Sequence, residues 1–383
     1  MIYLDNNAST EPDPEVLAAV EEATRLFGNP SSVHAEGRRA RRAIEEARSE
    51  VAALVNARPE EIFFTSGGTE SNALAIFGSV SGRSGRIVLS GAEHPSVREP
   101  VGQLGRTNAF EILTVNPEPS GALDEEKVLD AATDETALVS LMSANNEYGA
   151  VFPVARLAPE LRARGALVHT DAVQAAGKIP VDVRAWNVDL LSCSAHKLHG
   201  PKGVGALFVR KGLAIAPHTP GGGQERKIRA GTENTSGIAG FGVAARLARE
   251  RIAEAAAIGK LRDRFESVVR KGIPGAKIVG ESAPRLTNTS AILFPGVSGE
   301  TLVASLDLEG VAVSVGSACS SGTTSPSPAI LALGLPASEA RRVVRFSLSR
   351  LTTAAEIDRV AELLPALVAG ARHAGAAEAA LTR

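Results

Sequence analysis

Short apolar runs alternate with segments of helical length between residue 60 and about residue 210. The runs predict strands over residues 61–65, 86–90, 137–143, 166–171, 188–193 and 205–210. Helix-length segments such as 154–165 separate several of these runs, which predicts βαβ units around a mostly parallel sheet. Such sheets bind ligands at the carboxyl ends of their strands, so we expect the chemistry where these runs end.

The hydrophobic pattern changes after the last of these runs. Residues 236–272 predict one long helical stretch that links two domains. The remainder, from 276–280 through 345–350 to a final helix, has fewer elements in a different order and predicts a smaller α+β domain. In the first part of the chain, residues 35–55 predict an amphipathic helix whose charge run forms a solvated face rather than a nucleic-acid site.

Composition narrows the class of protein. The chain has 383 residues, a hydrophobic content of 44%, a charged content of 22% and a net charge of −2, which gives no general attraction to nucleic acid or anionic membranes. Its apolar runs fall short of the roughly 20 residues of a membrane span, and its first residues lack a signal-peptide pattern, so we expect a cytoplasmic protein. Cys193 ends a predicted buried strand, whereas Cys319 lies in a loop rich in Gly and Ser, an unusual place for a cysteine.

A candidate phosphate site follows the predicted strand that ends at Thr65. A pair of glycines comes next, and a helix is predicted to begin near Thr69. Glycine lets the backbone approach a ligand closely, and free N–H groups at a helix N-terminus attract phosphate. The segment 64–76 therefore predicts phosphate binding, with a plain strand–turn–helix connection as the alternative.

Two other predicted strands are followed by side chains that can bind a ligand or react with one. Asp171 follows an apolar run, where it can pair with a protonated ring nitrogen or cap a following helix. Lys197 follows the run 188–193, where neighbouring cations and burial lower a lysine pKa and favour a Schiff base. Ser194 and His196 are candidates to hold a phosphate beside it. The alternative for Lys197 is a surface lysine on a turn rich in Gly and Pro.

These features together match the needs of one cofactor. Pyridoxal phosphate requires a phosphate cradle, a carboxylate for its ring nitrogen and a lysine for its aldehyde. His94 follows another predicted strand, where it can stack on the ring or serve as an ordinary loop histidine. The seven histidines do not fall into metal-ligand spacing and there is no Cys-x-x-Cys motif, so the sequence disfavours a zinc or copper site.

The chain also carries an ordered set of motifs over nearly its whole length. They are YLDNNAST (3–10), GNPSSVHAEGR (28–38), TSGGTESN (65–72), EHPSV (93–97), ANNEYG (144–149), HTDAVQAAGK (169–178), SAHKLHGPKGVGAL (194–207), GGGQERKIRAGTEN (221–234), GSACSSG (316–322) and RFSLSRLTT (345–353). In this set the chain resembles cysteine desulfurases of the iron–sulfur-cluster and nitrogen-fixation type (group I), within the class V aminotransferase superfamily.

The resemblance implies a fold and a domain division. The fold is the α/β pyridoxal-phosphate-dependent transferase fold type I, in a protein that works as a homodimer. Residues 15–256 form the large cofactor-binding domain with a mostly parallel sheet. Residues 1–14 and 257–383 form the small α+β domain, which carries the catalytic cysteine loop and the arginine that takes the substrate carboxylate.

The resemblance also implies the site residues. Lys197 is the Schiff-base lysine, His94 stacks on the cofactor ring and moves protons, and Cys319 is the nucleophile. The remaining implied roles are phosphate binding by Gly68, Thr69, Ser194, His196 and, from the other subunit, Thr232; pairing of Asp171 with the ring nitrogen; contact of Gln174 and Asn146 with the ring hydroxyl; and substrate binding by Asn146 and Arg345. A role of Cys319 as an iron–sulfur ligand through its persulfide is implied only within a partner complex.

The implied reaction converts L-cysteine to L-alanine and leaves a persulfide on Cys319. The sulfur then passes to an iron–sulfur scaffold protein or another acceptor, with no direct role for nucleic acid or membrane. A selenocysteine lyase is the alternative with most of the same site, followed by a catalytically silent scaffold and an ordinary aminotransferase. The chain departs from the family pattern at Ala195, Tyr148 and Ser349, and these changes leave the named functional groups in place.

Overall fold

The computed structural model describes residues 1–316 and 325–381. In these residues the strands are β1 (Ile2–Tyr3), β2 (Ile62–Thr65), β3 (Gly85–Ser90), β4 (Phe110–Val115), β5 (Thr136–Ser140), β6 (Leu167–Asp171), β7 (Leu190–Ser194), β8 (Gly205–Val209), β9 (Lys277–Ile278), β10 (Thr289–Leu293), β11 (Val311–Ala312), β12 (Ser314–Val315) and β13 (Val343–Ser347). The apolar runs in the first half of the sequence therefore fall on strands, with boundaries shifted by a few residues.

The main sheet has the order β2-β8-β7-β6-β5-β3-β4. Strands β7, β6, β5, β3 and β4 run parallel, whereas β8 is antiparallel to both of its neighbours. The predicted α/β fold with a mostly parallel sheet is thus confirmed. The sequence analysis missed β4, an edge strand whose middle residues are partly exposed and therefore form no continuous apolar run.

Helices cover the main sheet and continue into the second half of the chain. Within the described residues they are α1 (Pro14–Thr24), α2 (Ala35–Leu54), α3 (Gly68–Ser79), α4 (Pro95–Gly105), α5 (Glu125–Ala131), α6 (Val154–Ala163), α7 (Thr235–Glu250), α8 (Ala255–Gly272), α9 (Gly299–Leu308), α10 (Pro328–Leu331), α11 (Ala337–Ala340) and α12 (Ala354–Leu381). None of the helices in this part of the chain is long and apolar enough to cross a bilayer.

The predicted single helical stretch over 236–272 is wrong. It consists of α7 and α8, which are separated by a short 3₁₀ turn at Ile252–Glu254. Arg251 ends α7, and its guanidinium donates to Asp13 Oδ2 over 2.7 Å, next to the N-terminus of α1. Ala and charged residues continue the helical composition through this turn, so the pattern contains no signal for the break.

The prediction of a fully solvated charged face on α2 is also wrong, at Arg48. Its side chain is 2% exposed and donates two hydrogen bonds of 2.8 Å to the buried carboxylate of Glu225. Glu225 also accepts from the backbone N–H of Phe64 in β2. A buried charge needs a paired and hydrogen-bonded partner, and that partner lies 177 residues away, where helical periodicity cannot reveal it.

A smaller sheet stands beside the main one, with the order β12-β13-β10-β9 and antiparallel pairing. Its core combines side chains of α8, α9, β13 and α12, among them Phe265, Leu302, Phe346 and Leu364. Strand β1 pairs with β11, so the first residues of the chain pack with the second half. This arrangement agrees with a smaller α+β unit, while the boundaries at residues 15 and 257 stay a prediction.

Candidate active site

A cavity of about 290 Å³ lies at the carboxyl ends of β2, β6 and β7. It collects nearly all of the residues to which the sequence analysis gave a role. Its lining includes Gly68, Thr69, His94, Asn146, Asp171, Gln174, Ser194, His196, Lys197 and Arg345. The expectation that ligands bind where parallel strands end thus matches the position of the cavity.

Lys197 is placed by the end of β7. The strand stops at Ser194, and a single 3₁₀ turn over Ala195–Lys197 brings the lysine back over the strand end. Its Nζ donates to the backbone carbonyls of Asn7 over 2.5 Å and of Ala8 over 2.8 Å. These two carbonyls hold the amine end at the cavity that Lys197 lines.

Asp171 is the last residue of β6 and is 6% exposed. Its Oδ2 accepts from the side chain of Asn72 over 2.7 Å, and its Oδ1 accepts from the N–H of Val173 over 2.9 Å. No helix begins directly after Asp171, since residues 173–175 and 177–178 form turns, so the alternative of a cap for a following helix is wrong. The two hydrogen bonds fix the orientation of the carboxylate at the end of the strand, where it borders the cavity.

The phosphate candidate is a turn between β2 and α3. Gly67 has a φ of 155° and a ψ of −176°, and a Cβ at this position would meet no atom within 4 Å. Helix α3 begins at Gly68, so its first N–H groups lie beside the cavity. Across from it, Ser194 Oγ is buried and has no hydrogen-bond partner among the described residues. A buried hydroxyl without a partner fits a bound phosphate oxygen.

His94 caps a helix and also lines the cavity. It caps α4, because its Nδ1 accepts from the N–H of Ser96 over 3.1 Å. The hydroxyl of Ser96 accepts from Asn72 and lies 2.7 Å from the same Nδ1, so the neutral ring carries its proton on Nε2. Burial lowers the pKa of His94, while the charge of Asp171 opposes this effect. The ring is therefore a neutral imidazole at the cavity wall.

His196 stands beside Lys197 on the cavity wall. Burial lowers its pKa to about 4, and the charges of Lys197, Lys202 and Lys178 act in the same direction. A neutral imidazole at this position offers a phosphate an N–H donor without adding a further positive charge.

Arg345, in β13, forms the opposite side of the cavity and is 2% exposed. It donates from Nη1 to the carbonyl of Asn146 over 2.9 Å and from Nη2 to Asp5 Oδ1 over 2.6 Å. Its Nε is buried without a hydrogen-bond partner among the described residues. The guanidinium thus keeps an open donor for an incoming carboxylate.

Three sequence predictions fall outside this cavity. Thr232 is exposed and is absent from the cavity lining, in keeping with a role that requires a second subunit. Cys319 lies outside the described residues, although the nearby Gly316 lines the cavity. Cys193 is buried in β7 as predicted, and burial raises the pKa of its thiol to about 12, so this cysteine is inert.

Sequence reasoning missed several polar residues around the cavity. Asn7, Asn72 and Asp5 contact the candidate residues directly, and Lys178 contacts Gln174. Asn7 and Asp5 belong to the segment 3–10, which carried only family resemblance and no chemical pattern of its own. The charge of Lys178 next to a glycine was a visible signal, but a lysine in a turn is usually solvated.

Comparison with known proteins supplies the family. Residues 2–360 match the family described as aminotransferase class-V. The chain belongs to this family. The class-V aminotransferase family depends on pyridoxal phosphate, so the predicted family and cofactor are confirmed.

Individual class-V relatives are more specific. A cysteine desulfurase of Cereibacter sphaeroides is 47% identical over 371 residues, covering 96% of this chain and 95% of that protein. A cysteine desulfurase of Sinorhizobium fredii is 45% identical, covering 96% of each chain. A solved NifS-like protein has a TM-score of 0.89 at 35% identity, covering 96% of this chain and 99% of that one. A NifS-like protein from Rickettsia africae has a TM-score of 0.87 at 32% identity, covering 96% and 99% of the two chains.

Proposed function

We propose that this protein is a pyridoxal-phosphate-dependent cysteine desulfurase, which removes sulfur from L-cysteine and releases L-alanine. One observation carries the proposal: Lys197, Asp171, Ser194 and Arg345 converge on a single cavity at the carboxyl edge of the sheet. These are the groups that hold an aldehyde cofactor, its ring nitrogen, its phosphate and an amino-acid carboxylate. The curated relatives named cysteine desulfurase support this choice of reaction.

The residues of the cavity fit pyridoxal phosphate. Lys197 would hold its aldehyde carbon, Asp171 its ring nitrogen and His94 a face of its ring. Its phosphate would bind the start of α3 and the unpartnered Ser194 Oγ. The full phosphate set that we propose is Gly68, Thr69, Ser194 and His196, with Thr232 from a second subunit, while Gln174 and Asn146 take the ring hydroxyl. When bound, the cofactor supplies an electron-withdrawing ring that makes the α-proton of an amino acid acidic.

The chain supplies the proton transfers. The hydrogen bonds from Asn72 and Val173 orient the Asp171 carboxylate, which would pair with a protonated ring nitrogen. The Nζ of Lys197 would be placed to take the α-proton of the substrate. His94 keeps a neutral ring with its proton on Nε2, so it serves as a hydrogen-bond donor at the cavity wall.

Arg345 and Cys319 act on the substrate itself. The Arg345 guanidinium would bind the α-carboxylate and thereby orient the substrate sulfur. The thiolate of Cys319 attacks this sulfur, so a sulfur–sulfur bond forms while the carbon–sulfur bond of the substrate breaks. The bonding electrons go to the substrate carbon, which is then protonated, and alanine leaves while the persulfide stays on Cys319.

The physiological setting is part of the same proposal. We infer a homodimer, because Thr232 of a single chain does not reach its own cavity lining. The persulfide would pass to an iron–sulfur scaffold protein or another acceptor in the cytoplasm, without nucleic acid or membrane. A domain division at residues 15 and 257 would let the smaller unit carry Cys319 and Arg345 against the larger one.

The proposed function is tested by product analysis. Purified protein supplied with pyridoxal phosphate, L-cysteine and a thiol reductant should release alanine and sulfide in equal amounts. Protein that stays colourless after the addition of cofactor would contradict the proposal and favour a silent scaffold. The assay is repeated with selenocysteine, and turnover of selenocysteine by a variant without Cys319 at the wild-type rate would instead support a selenocysteine lyase.

A further inference from the structure

Lys178 lies behind the cavity rather than in its lining. It is half-buried, and part of its surface borders a second cavity of about 80 Å³ that also touches Lys197. Its amine end donates to Gln174 Oε1 over 2.7 Å and to Asn7 Oδ1 over 3.1 Å. Both acceptors are neutral amide oxygens, an unusual environment for a lysine with an enclosed amine.

The contact with Lys178 determines how the Gln174 amide is oriented. A lysine amine offers donors at every pH at which it is protonated, and a neutral amine still carries two N–H groups. The atom of Gln174 that meets Lys178 is its oxygen, which is the choice that a protonated amine requires because it has no acceptor, and Nε2 lies on the other side. One Nε2 hydrogen goes to the carbonyl of Asn7 over 2.9 Å. Since an amide nitrogen has two hydrogens, one remains for a group bound in the cavity, which Gln174 lines.

Asn7 connects this arrangement to the reactive lysine. Its carbonyl accepts from both Gln174 Nε2 and Lys197 Nζ. Its side chain accepts from Lys178 and from Asn288. The two lysines thus bind different oxygens of one residue, and the direct contact of Lys178 with the Gln174 amide is the one that bears on the donor in the cavity.

The surroundings of Lys178 indicate that its amine donates hydrogen bonds to neutral groups and does not form an ion pair. No carboxylate belongs to its hydrogen-bond or salt-bridge partners within the described residues. Burial lowers the pKa of Lys178, and the charges of Lys197 and Arg345 lower it further. The two hydrogen bonds persist in the neutral and in the protonated form, because both forms carry enough hydrogens.

We propose that Lys178 is a positioning residue that fixes the Gln174 amide so that Gln174 donates an N–H to the cofactor. The inference rests on the proposed function, because it takes pyridoxal phosphate as the bound group. An N–H donor recognises an acceptor, so Gln174 would favour the ring oxygen of the cofactor in its deprotonated form. Without Lys178 the amide can rotate and present its oxygen, which repels the same group.

A double-mutant cycle tests this role by equilibrium binding rather than by activity. The variants are Lys178→Met, Gln174→Ala and the double variant, and the readout is the dissociation constant of pyridoxal phosphate for each apo protein, measured by equilibrium dialysis. Each single change should weaken binding by about tenfold, the effect of losing one hydrogen bond to a charged group. The double variant should bind within about twofold of Gln174→Ala, because Lys178 acts through Gln174.

Several outcomes would overturn the inference. If the fold-changes in the dissociation constant of the two single variants multiply in the double variant, Lys178 acts independently of Gln174. If Lys178→Met binds as the wild type does, Lys178 has no role in binding. Lys202→Met changes an exposed lysine of the neighbouring loop and should bind as the wild type does. If wild-type apo protein itself binds no pyridoxal phosphate, the proposed function fails, which separates the two failures.

A second variant keeps the test valid if Lys178→Met does not fold. Gln174→Glu retains an oxygen acceptor for Lys178 and lacks the Nε2 donor. It loses the hydrogen bond to the Asn7 carbonyl but gains a charged partner in Lys178, so it should still fold, and it should bind pyridoxal phosphate at least about tenfold more weakly. Binding at the wild-type level by Gln174→Glu would contradict the requirement for a donor and overturn the inference.

Discussion

Asp5 and Arg345 form an ion pair, with Oδ1 and Nη2 2.6 Å apart, at the place where a substrate carboxylate would arrive. The Arg345 side chain is 2% exposed and that of Asp5 is 20% exposed. A fixed carboxylate beside the guanidinium orients it and at the same time competes with the carboxylate of the substrate. If Arg345 binds the substrate carboxylate as proposed, we expect Asp5 to weaken that binding.

Replacement of Asp5 by asparagine should tighten substrate binding. Asp5→Asn keeps an oxygen acceptor for Arg345 and removes the competing charge. KM for L-cysteine should fall by about fivefold, because a partly exposed charge pair contributes about 1 kcal/mol. The value of kcat should change little, and steady-state kinetics measure both. Asp134→Asn, at an exposed position, is the matched control, and a raised KM in Asp5→Asn would show that orientation outweighs competition.

Lys197 is expected to hold the cofactor covalently. Lys197→Ala should lose the yellow colour of the lysine-bound cofactor and the release of alanine. Borohydride treatment of the wild type should fix the cofactor to Lys197, as peptide mass mapping would show. Lys202→Ala serves as a control in the same loop and should behave as the wild type does. A wild-type spectrum in Lys197→Ala would refute the assignment.

The two cysteines should differ in reactivity. Burial raises the thiol pKa of Cys193 to about 12, so this thiol stays protonated near neutral pH. Iodoacetamide at neutral pH should therefore label Cys319 and spare Cys193. Cys319→Ser should stay yellow and fail to release sulfide, whereas Cys193→Ala should release it normally. Normal sulfide release by Cys319→Ser would exclude the persulfide route.

Glu93 should make stability depend on pH. Burial raises its pKa to about 8, partly opposed by hydrogen bonds from Met142 and Ser90, so the folded protein binds a proton that the unfolded chain loses near pH 4.5. Stability is therefore lost as pH rises from about 4.5 to about 8, by up to about 1.4 kcal/mol per pH unit. Glu93→Gln removes this loss. Urea unfolding of both apo proteins across this range measures the difference, which should become constant above pH 8; a constant difference throughout would contradict the pKa.

The buried ion pair between Arg48 and Glu225 should contribute strongly to the free energy of unfolding. Glu225→Gln leaves a buried guanidinium without its charged partner, which should lower the free energy of unfolding by about 3–5 kcal/mol. Glu45 contacts the same arginine from the solvent side and is 48% exposed, so Glu45→Gln should cost less than about 1 kcal/mol. Urea unfolding compares the two variants. Equal losses would mean that burial does not decide the strength of this pair.

The main sheet could be predicted from the sequence because buried parallel strands give continuous apolar runs. Each run that was predicted between residues 60 and 210 corresponds to a strand. Residues that follow β2, β3, β5, β6 and β7 line the cavity, whereas none at the end of the antiparallel β8 does. The edge strand β4 was missed because its middle residues are partly exposed. The end of a strand can be located from the hydrophobic pattern, and in a parallel sheet it is also the place where ligands bind.

The contacts of the site could not be predicted in the same way. Arg48 pairs with Glu225, and Lys178 reaches Asn7, across 177 and 171 residues of sequence. Such pairs follow from tertiary packing, to which periodicity is blind. A lysine in a turn usually lies in solvent, and only the structure shows that the Lys178 amine lies behind Gln174 and faces two amide oxygens.

The course of the N-terminal segment also bears on the order of events during synthesis. Asn7 contacts Lys197 in one direction and Thr289 and Ser347 in the other. A nascent chain that leaves the ribosome from its N-terminus carries Asn7 for most of translation before Ser347 is made. The contacts of Asn7 with Lys197 and Gln174 can therefore form once the main sheet is made, whereas those with Thr289 and Ser347 require the second half of the chain. The N-terminal segment is thus fixed at both of its sides only when the second half of the chain has been made.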